Sequence, residues 1–125
     1  MTEASEAPWA VVFAADAVND LLLISDHLLQ AYQGFGEPLE EASRHDAARI
    51  EAVISAAQRL ATAPLRGESH HDLLPGLRHL ALDRAVYWFR PRPQQREIQV
   101  LAVFFGGQDH QRHMLVRLLQ GRPNS

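Results

Sequence analysis

The sequence predicts an α+β fold: a short N-terminal strand, an antiparallel helical hairpin packed on a twisted antiparallel sheet, and a short C-terminal helix. Three observations carry that prediction. Apolar residues recur at three- and four-residue intervals through the first half. Two β-rich runs, Arg84-Ala-Val-Tyr-Trp-Phe-Arg90 and Glu97-Ile-Gln-Val-Leu-Ala-Val-Phe-Phe105, dominate the last third. The 125 residues, 46% apolar and 22% charged, are enough for one modest core and therefore one domain.

Residues 1–8 are small and polar and close on Pro8, which reads as a flexible tail ahead of a single domain over residues 9–125. Trp9 to Phe13 has the β-branched and aromatic content of a strand. Ala14 to Asp16 turns it into a helix from Ala17 to Gln33, with Val18, Leu21, Leu22, Ile24, Leu28, Leu29 and Tyr32 on its apolar side. Asp16 and Asp20 suit the positive end of that helix's dipole. Gly34, Gly36 and Pro38 break it. A second helix then runs to about Ala63, where Pro64 stops it, and its stripe is Ala42, Ile50, Val53, Ile54, Ala57, Leu60 and Ala61.

Residues 64–76 show no sustained period and read as a loop long enough to be functional. Leu77 to Ala81 alternates as a strand, Leu82-Asp83 suits a tight turn, and Arg84 to Arg90 follows as an aromatic strand. After a Pro-rich turn, Glu97 to Phe105 is apolar at nearly every position, so it should be covered on both faces; alternation puts Ile98, Val100, Ala102 and Phe104 on one of them. Gly106-Gly107 and Asp109 then lead into a helix with Met114, Leu115, Leu118 and Leu119 on one side.

Composition narrows the function classes. The chain has no cysteine, which removes disulfides and thiolate metal sites, and its longest aliphatic run, Leu21-Leu-Leu-Ile24, is far too short for a membrane span. An acidic start instead of a basic leader fits a cytoplasmic protein. The net charge of −3 divides unevenly, about −7 over residues 1–63 and +4 over residues 64–125, and every cation is arginine. A pI of 6.1 argues against sequence-specific nucleic-acid binding, whereas a basic half beside an acidic half suits a charged protein partner.

The order of elements and their local residues resemble the ParE/RelE superfamily of toxins from type II toxin–antitoxin modules, the ParE branch in particular. Ala17, Asp20-Leu21 and Ile24 stand where members carry A-x-x-D-L-x-x-I, and Ala48, Ile50 and Leu60 match the second helix. Pro64 and Gly67 match P-x-x-G, and Leu77-Arg78 with Leu80 matches an R-x-L strand. Val86 to Arg90 is similar to Y-x-I-x-Y-R, and Glu97 to Gly106 with Gln108-Asp109 to the family's closing strand. The resemblance implies a plasmid-stabilization type of toxin that inhibits DNA gyrase by binding, without cofactor or metal, and forms a hetero-oligomer with a ParD-like antitoxin. The runner-up is a RelE-type ribosome-dependent mRNA interferase, and the third reading a degenerate, non-toxic interaction module. The family's closing histidine and paired arginine are replaced here by Phe105, Gly106, Gly107 and Gln108, and helix two and its following loop are longer.

Candidate partner-binding residues are Arg78, Arg84, Arg90, Asp109, His110, Arg112 and His113. The arginines could grip an acidic partner or phosphate, or simply protect a solvated sheet edge. Under the binding reading no residue is catalytic. Under the RNase reading, His110 and His113 would supply base and acid, with Arg78 or Arg90 on the phosphate. His110 and His113, three apart on a helix, have no third metal ligand nearby in sequence. The adjacent His70 and His71 should point apart as solvated loop residues, Asp109 should cap its helix, and Trp9, Trp88, Phe89 and Phe104 should be core and not a base-stacking platform.

Overall fold

A computed structural model describes residues 9–106 and 109–120. The expected tail of residues 1–8 lies outside them, as do Gly107 and Gln108. The chain opens with strand β1 (Ala10–Phe13), which runs parallel to β5 (Glu97–Phe105), Ala10 opposite Glu97 and Phe13 opposite Val100. The sheet is therefore mixed, although its other pairings are antiparallel: β2 (Glu68–Ser69) with β3 (Arg78–Leu82), β3 with β4 (Ala85–Arg92), and β4 with β5. The order across it is β1-β5-β4-β3-β2, so β5 is flanked on both sides at its start, as its apolar content predicts.

Helix α1 (Ala15–Gly34) turns through Phe35 to Pro38 into α2 (Leu39–Ala57). Ala17, Leu21, Ile24 and Leu28 are the buried residues of one α1 face, but Val18, Leu22 and Leu23 are largely exposed, so the apolar band is wider than the core needs. The second helix ends earlier than predicted: at Gln58 it tightens into a 3-10 turn, Gln58–Thr62, which swings Leu60 and Ala61 into the core before Pro64. With Val53 and Ala57, Leu60 packs on Ala85, Tyr87, Phe89, Ile98, Val100 and Val103.

The opposite sheet face is covered by helix α3 (His110–Gln120) and by the segment before β3, through Leu77, Val86, Trp88, Leu101, Ala102 and Met114. A register shift, Trp88 opposite Ala102 and Phe89 opposite Val100, leaves Leu101 as an extra residue in β5. It inverts the alternation. Ile98 and Val100 thus share the hairpin face with Val103 and Phe105, while Ala102 and Phe104 turn to the α3 side, which corrects the single-face reading of Ile98 through Phe104. Trp88 and Phe89 are fully buried on opposite faces, Trp9 packs on the hairpin-side core, and Phe104 on the α3 side.

Three boundaries shift for local reasons. Asp83 takes a left-handed φ of 58°, so the β3–β4 turn is Asp83-Arg84 and Arg84 sits in the turn instead of in the strand. Strand β4 continues through Pro91, which is tolerated because its β3 partnering stops at Phe89. The predicted loop over residues 64–76 holds the two-residue strand β2, seated by Gly67: a Cβ there would stand 2.3 Å from the His79 carbonyl oxygen. On α3, Leu115 and Leu119 are exposed, and Met114 alone is fully buried.

Candidate functional site

Two places concentrate chemistry. The first lies on the α3 side of the sheet, where the ladder sets Glu68, His79 and Trp88 in one row across β2, β3 and β4. His70, two residues after Glu68, falls on the same face and reaches His79, Nε2 to Nδ1 at 2.7 Å. Both imidazoles lie 4.7 Å from the Trp88 ring and 4.9 Å from each other, nearly parallel. His110 closes the group from α3: Trp88 donates its indole N–H to His110 Nδ1 at 3.2 Å, and the His79 and His110 rings are 4.7 Å apart. Burial, then the neighbouring His110 and His70, lower the pKa of His79 from its ordinary value, with Glu68 opposing them.

His70 and His71 do point apart, since His71 Nδ1 accepts the Gly76 amide while His70 turns inward. The solvated reading holds for His71 but not for His70, whose side chain is only 12% exposed because β2 pairs with β3. A loop reading of residues 64–76 hides this, although Glu68 and His70 at a two-residue spacing after Gly67 would signal one strand face.

The second place is the outer edge of β5. Strand β1 pairs only as far as Val100, so beyond it the edge is met by side chains. Asp20 accepts the Val103 amide at 2.9 Å, and Arg117 donates to the Leu101 carbonyl at 3.4 Å. Asp20 and Arg117 also form a two-point ion pair at 2.7 and 2.9 Å, and that hydrogen bond raises the Arg117 pKa against the cost of its burial. Asp20 is thus a buried partner of α3 and lies beyond the first turn of α1, whose acid is Asp16 alone. Above this edge lies a groove of about 340 Å³, lined by Leu23, Ile24 and His27 of α1, Val103, Phe104 and Phe105 of β5, and His113 and Arg117 of α3.

The residues singled out from sequence disperse over these surfaces. Arg78 shares its side of β3 with Leu80 and Leu82, the hairpin side, and donates to the Arg66 carbonyl. Arg90 bonds Gln99 Oε1 on β5, and Arg84 is exposed in its turn. The face they were expected to share on one strand is not formed, because Arg84 lies in the turn ahead of β4, six residues from Arg90. Asp109 caps α3 by accepting the Arg112 amide at 3.3 Å. His113 stacks on Phe104 in the groove, one turn from His110, which belongs to the other cluster.

No family model and no curated protein matches the sequence. Solved structures do. A chain of the chromosomal ParDE TA system from P. aeruginosa superposes with a TM-score of 0.60 at 20% identity, over 79% of this chain and 97% of that one. A chain of the toxin–antitoxin complex RelBE2 from Mycobacterium tuberculosis gives 0.54 at 18% identity, over 82% and 95%. The chain shares the fold of these two solved chains. Within that fold, Asp20, Leu21 and Ile24, which carry the helix-one resemblance, are all buried, the two apolar residues in the core and the acid on the β5 edge. No helix among the described residues is long and apolar enough to cross a membrane.

Proposed function

We propose that this protein is the toxin of a type II toxin–antitoxin module, that it acts by binding DNA gyrase, and that a ParD-like antitoxin holds it inactive. The observation that carries binding over RNA cleavage is the dispersal of the residues that would form a cleavage centre, His110 and His113 with Arg78 or Arg90. Arg78 lies on the hairpin side, His113 in the groove, His110 under Trp88, and Arg90 against Gln99. A base, an acid and a phosphate-binding cation must converge within hydrogen-bond reach of one substrate. The groove beside β5 suits the antitoxin instead. It is apolar at Leu23, Ile24, Phe104 and Phe105, and polar at His27, His113 and Arg117, which fits an amphipathic segment that folds on docking.

One observation favours the second reading, a RelE-type interferase: the close approach of His70, His79 and His110 on the α3 side. The experiment that separates the two combines purified protein with induced expression in cells. Gyrase trapped in a cleaved complex with DNA, with DNA-damage signalling on induced expression, is the expected result. Cleavage of mRNA in the ribosomal A site that disappears in His110→Ala would overturn it in favour of the interferase.

A further inference from the structure

The geometry points to a binding site for a divalent transition-metal ion, zinc above all, formed by Glu68, His70 and His79. One ligand atom from each lies within 4.8 Å of the other two. His70 Nε2 is 2.7 Å from His79 Nδ1 and 3.9 Å from Glu68 Oε2. Ligands about 2.0–2.1 Å from a tetrahedral zinc stand about 3.3 Å apart. The imidazole pair must therefore open, and the carboxylate close on His70 Nε2, by roughly 0.6 Å each, while Glu68 closes on His79 from a separation within 4.8 Å.

The backbone sets this convergence. Glu68 is directly opposite His79 in the β2–β3 ladder, His70 follows two residues later, and the glycine-only contact of Gly67 with the His79 carbonyl presses the edge strand into place. Two nitrogens and one oxygen make a donor set that zinc accepts, with a fourth position left for water. The ion has an entry path, because Glu68 is 64% exposed while His70 is nearly covered. In the free protein one imidazole must donate to the other. A shift of that proton to the donor's other ring nitrogen frees both lone pairs for the ion. Bound there, zinc would tie the two-residue strand β2 to β3, whichever target the protein acts on.

Calorimetric titration of the full, chelator-treated chain with zinc chloride should show one site per chain. A hundredfold excess over the dissociation constant should raise Tm by roughly 10 °C. Cobalt should give the strong visible absorption of a four-coordinate ion. Glu68→Ala, at an exposed position, should weaken zinc binding about tenfold or more, His70→Ala should abolish it, and His71→Ala should bind as the parent does. His79→Ala is read only where circular dichroism shows it folded; Glu68→Ala remains decisive in either case. Absence of binding heat and of the cobalt band overturns the site. So does zinc affinity unchanged in Glu68→Ala, or lost on substitution of His113 alone.

Discussion

The two faces of the sheet are built differently. The hairpin face is aliphatic and deep, closed by Leu21, Ile24, Leu28, Val53 and Leu60, with Tyr87 as its buried polar handle. The α3 face rests on fewer groups, and three of the side chains around Trp88 are histidines. Full burial of one aliphatic side chain stabilises by about 1.5–3 kcal/mol, so the hairpin face supplies most of what holds the fold. Imidazoles contribute little by transfer from water, and their cost is tolerable where the other face already secures the sheet.

The faces are joined around the open edge of β5 by Asp20 and Arg117, and breaking that joint gives the largest expected effect. Arg117→Ala leaves the Asp20 carboxylate, 5% exposed, with the Val103 amide as its remaining bond. Removing one partner of such a pair costs about 3 kcal/mol or more. Arg117 also packs over the Phe104 ring at 5.5 Å, which adds to the loss. Urea unfolding measures it. Asp20→Asn combined with Arg117→Met should recover part of the stability, because no unpaired charge stays buried. A loss below about 1 kcal/mol in Arg117→Ala would mean the two faces are held independently.

Tyr87 tests the hairpin face alone. Its hydroxyl donates to the Val53 carbonyl at 2.6 Å, and burial, with Asp83 nearby, pushes its pKa up to about 12. Tyr87→Phe should cost about 1–2 kcal/mol at neutral pH. The folded pKa lies above the unfolded value of about 10. The stabilisation from the protonated phenol is therefore complete below pH 10 and disappears as pH rises from about 10 to about 12. Denaturation midpoints across that range should fall more steeply for the parent than for Tyr87→Phe. Parallel curves would show that the phenol is not held protonated.

The elements were legible where periodicity and punctuation agree. Ala17, Leu21, Ile24 and Leu28 announce α1, and the apolar run of β5 announces an interior strand. The bulge at Leu101 was not legible, since every residue from Val100 to Phe105 is apolar and alternation leaves no mark of an inserted residue. Nor was the histidine group. It depends on a two-residue edge strand, too short for any period, brought to β3 by the close approach of Gly67. The role of Asp20 was hidden differently: an acid near a helix start already has a local explanation, and its true partner, Arg117, lies 97 residues away. Long-range pairs of this kind are fixed by topology, which the sequence pattern constrains but does not spell out.

The smallest expected effect on stability belongs to the outer side of the hairpin, where binding and folding should separate. Leu23 is 60% exposed on α1 yet lines the groove beside Ile24 and Phe104. Leu23→Gln keeps a good helix former and removes apolar surface that the fold does not bury, so stability should change by no more than about 0.5 kcal/mol. If an antitoxin tail occupies the groove, the same change removes an apolar contact from its lining, and truncation of such an anchor costs about 1 kcal/mol or more of affinity. Binding of the product of the adjacent reading frame should then weaken roughly five- to tenfold by calorimetry, with unfolding curves superimposable on the parent's. Equal affinity in Leu23→Gln would take the α1 side of the groove out of the interface. A matching loss of stability would show instead that the hairpin's outer side belongs to the core, and the division of labour between the two faces would have to be redrawn.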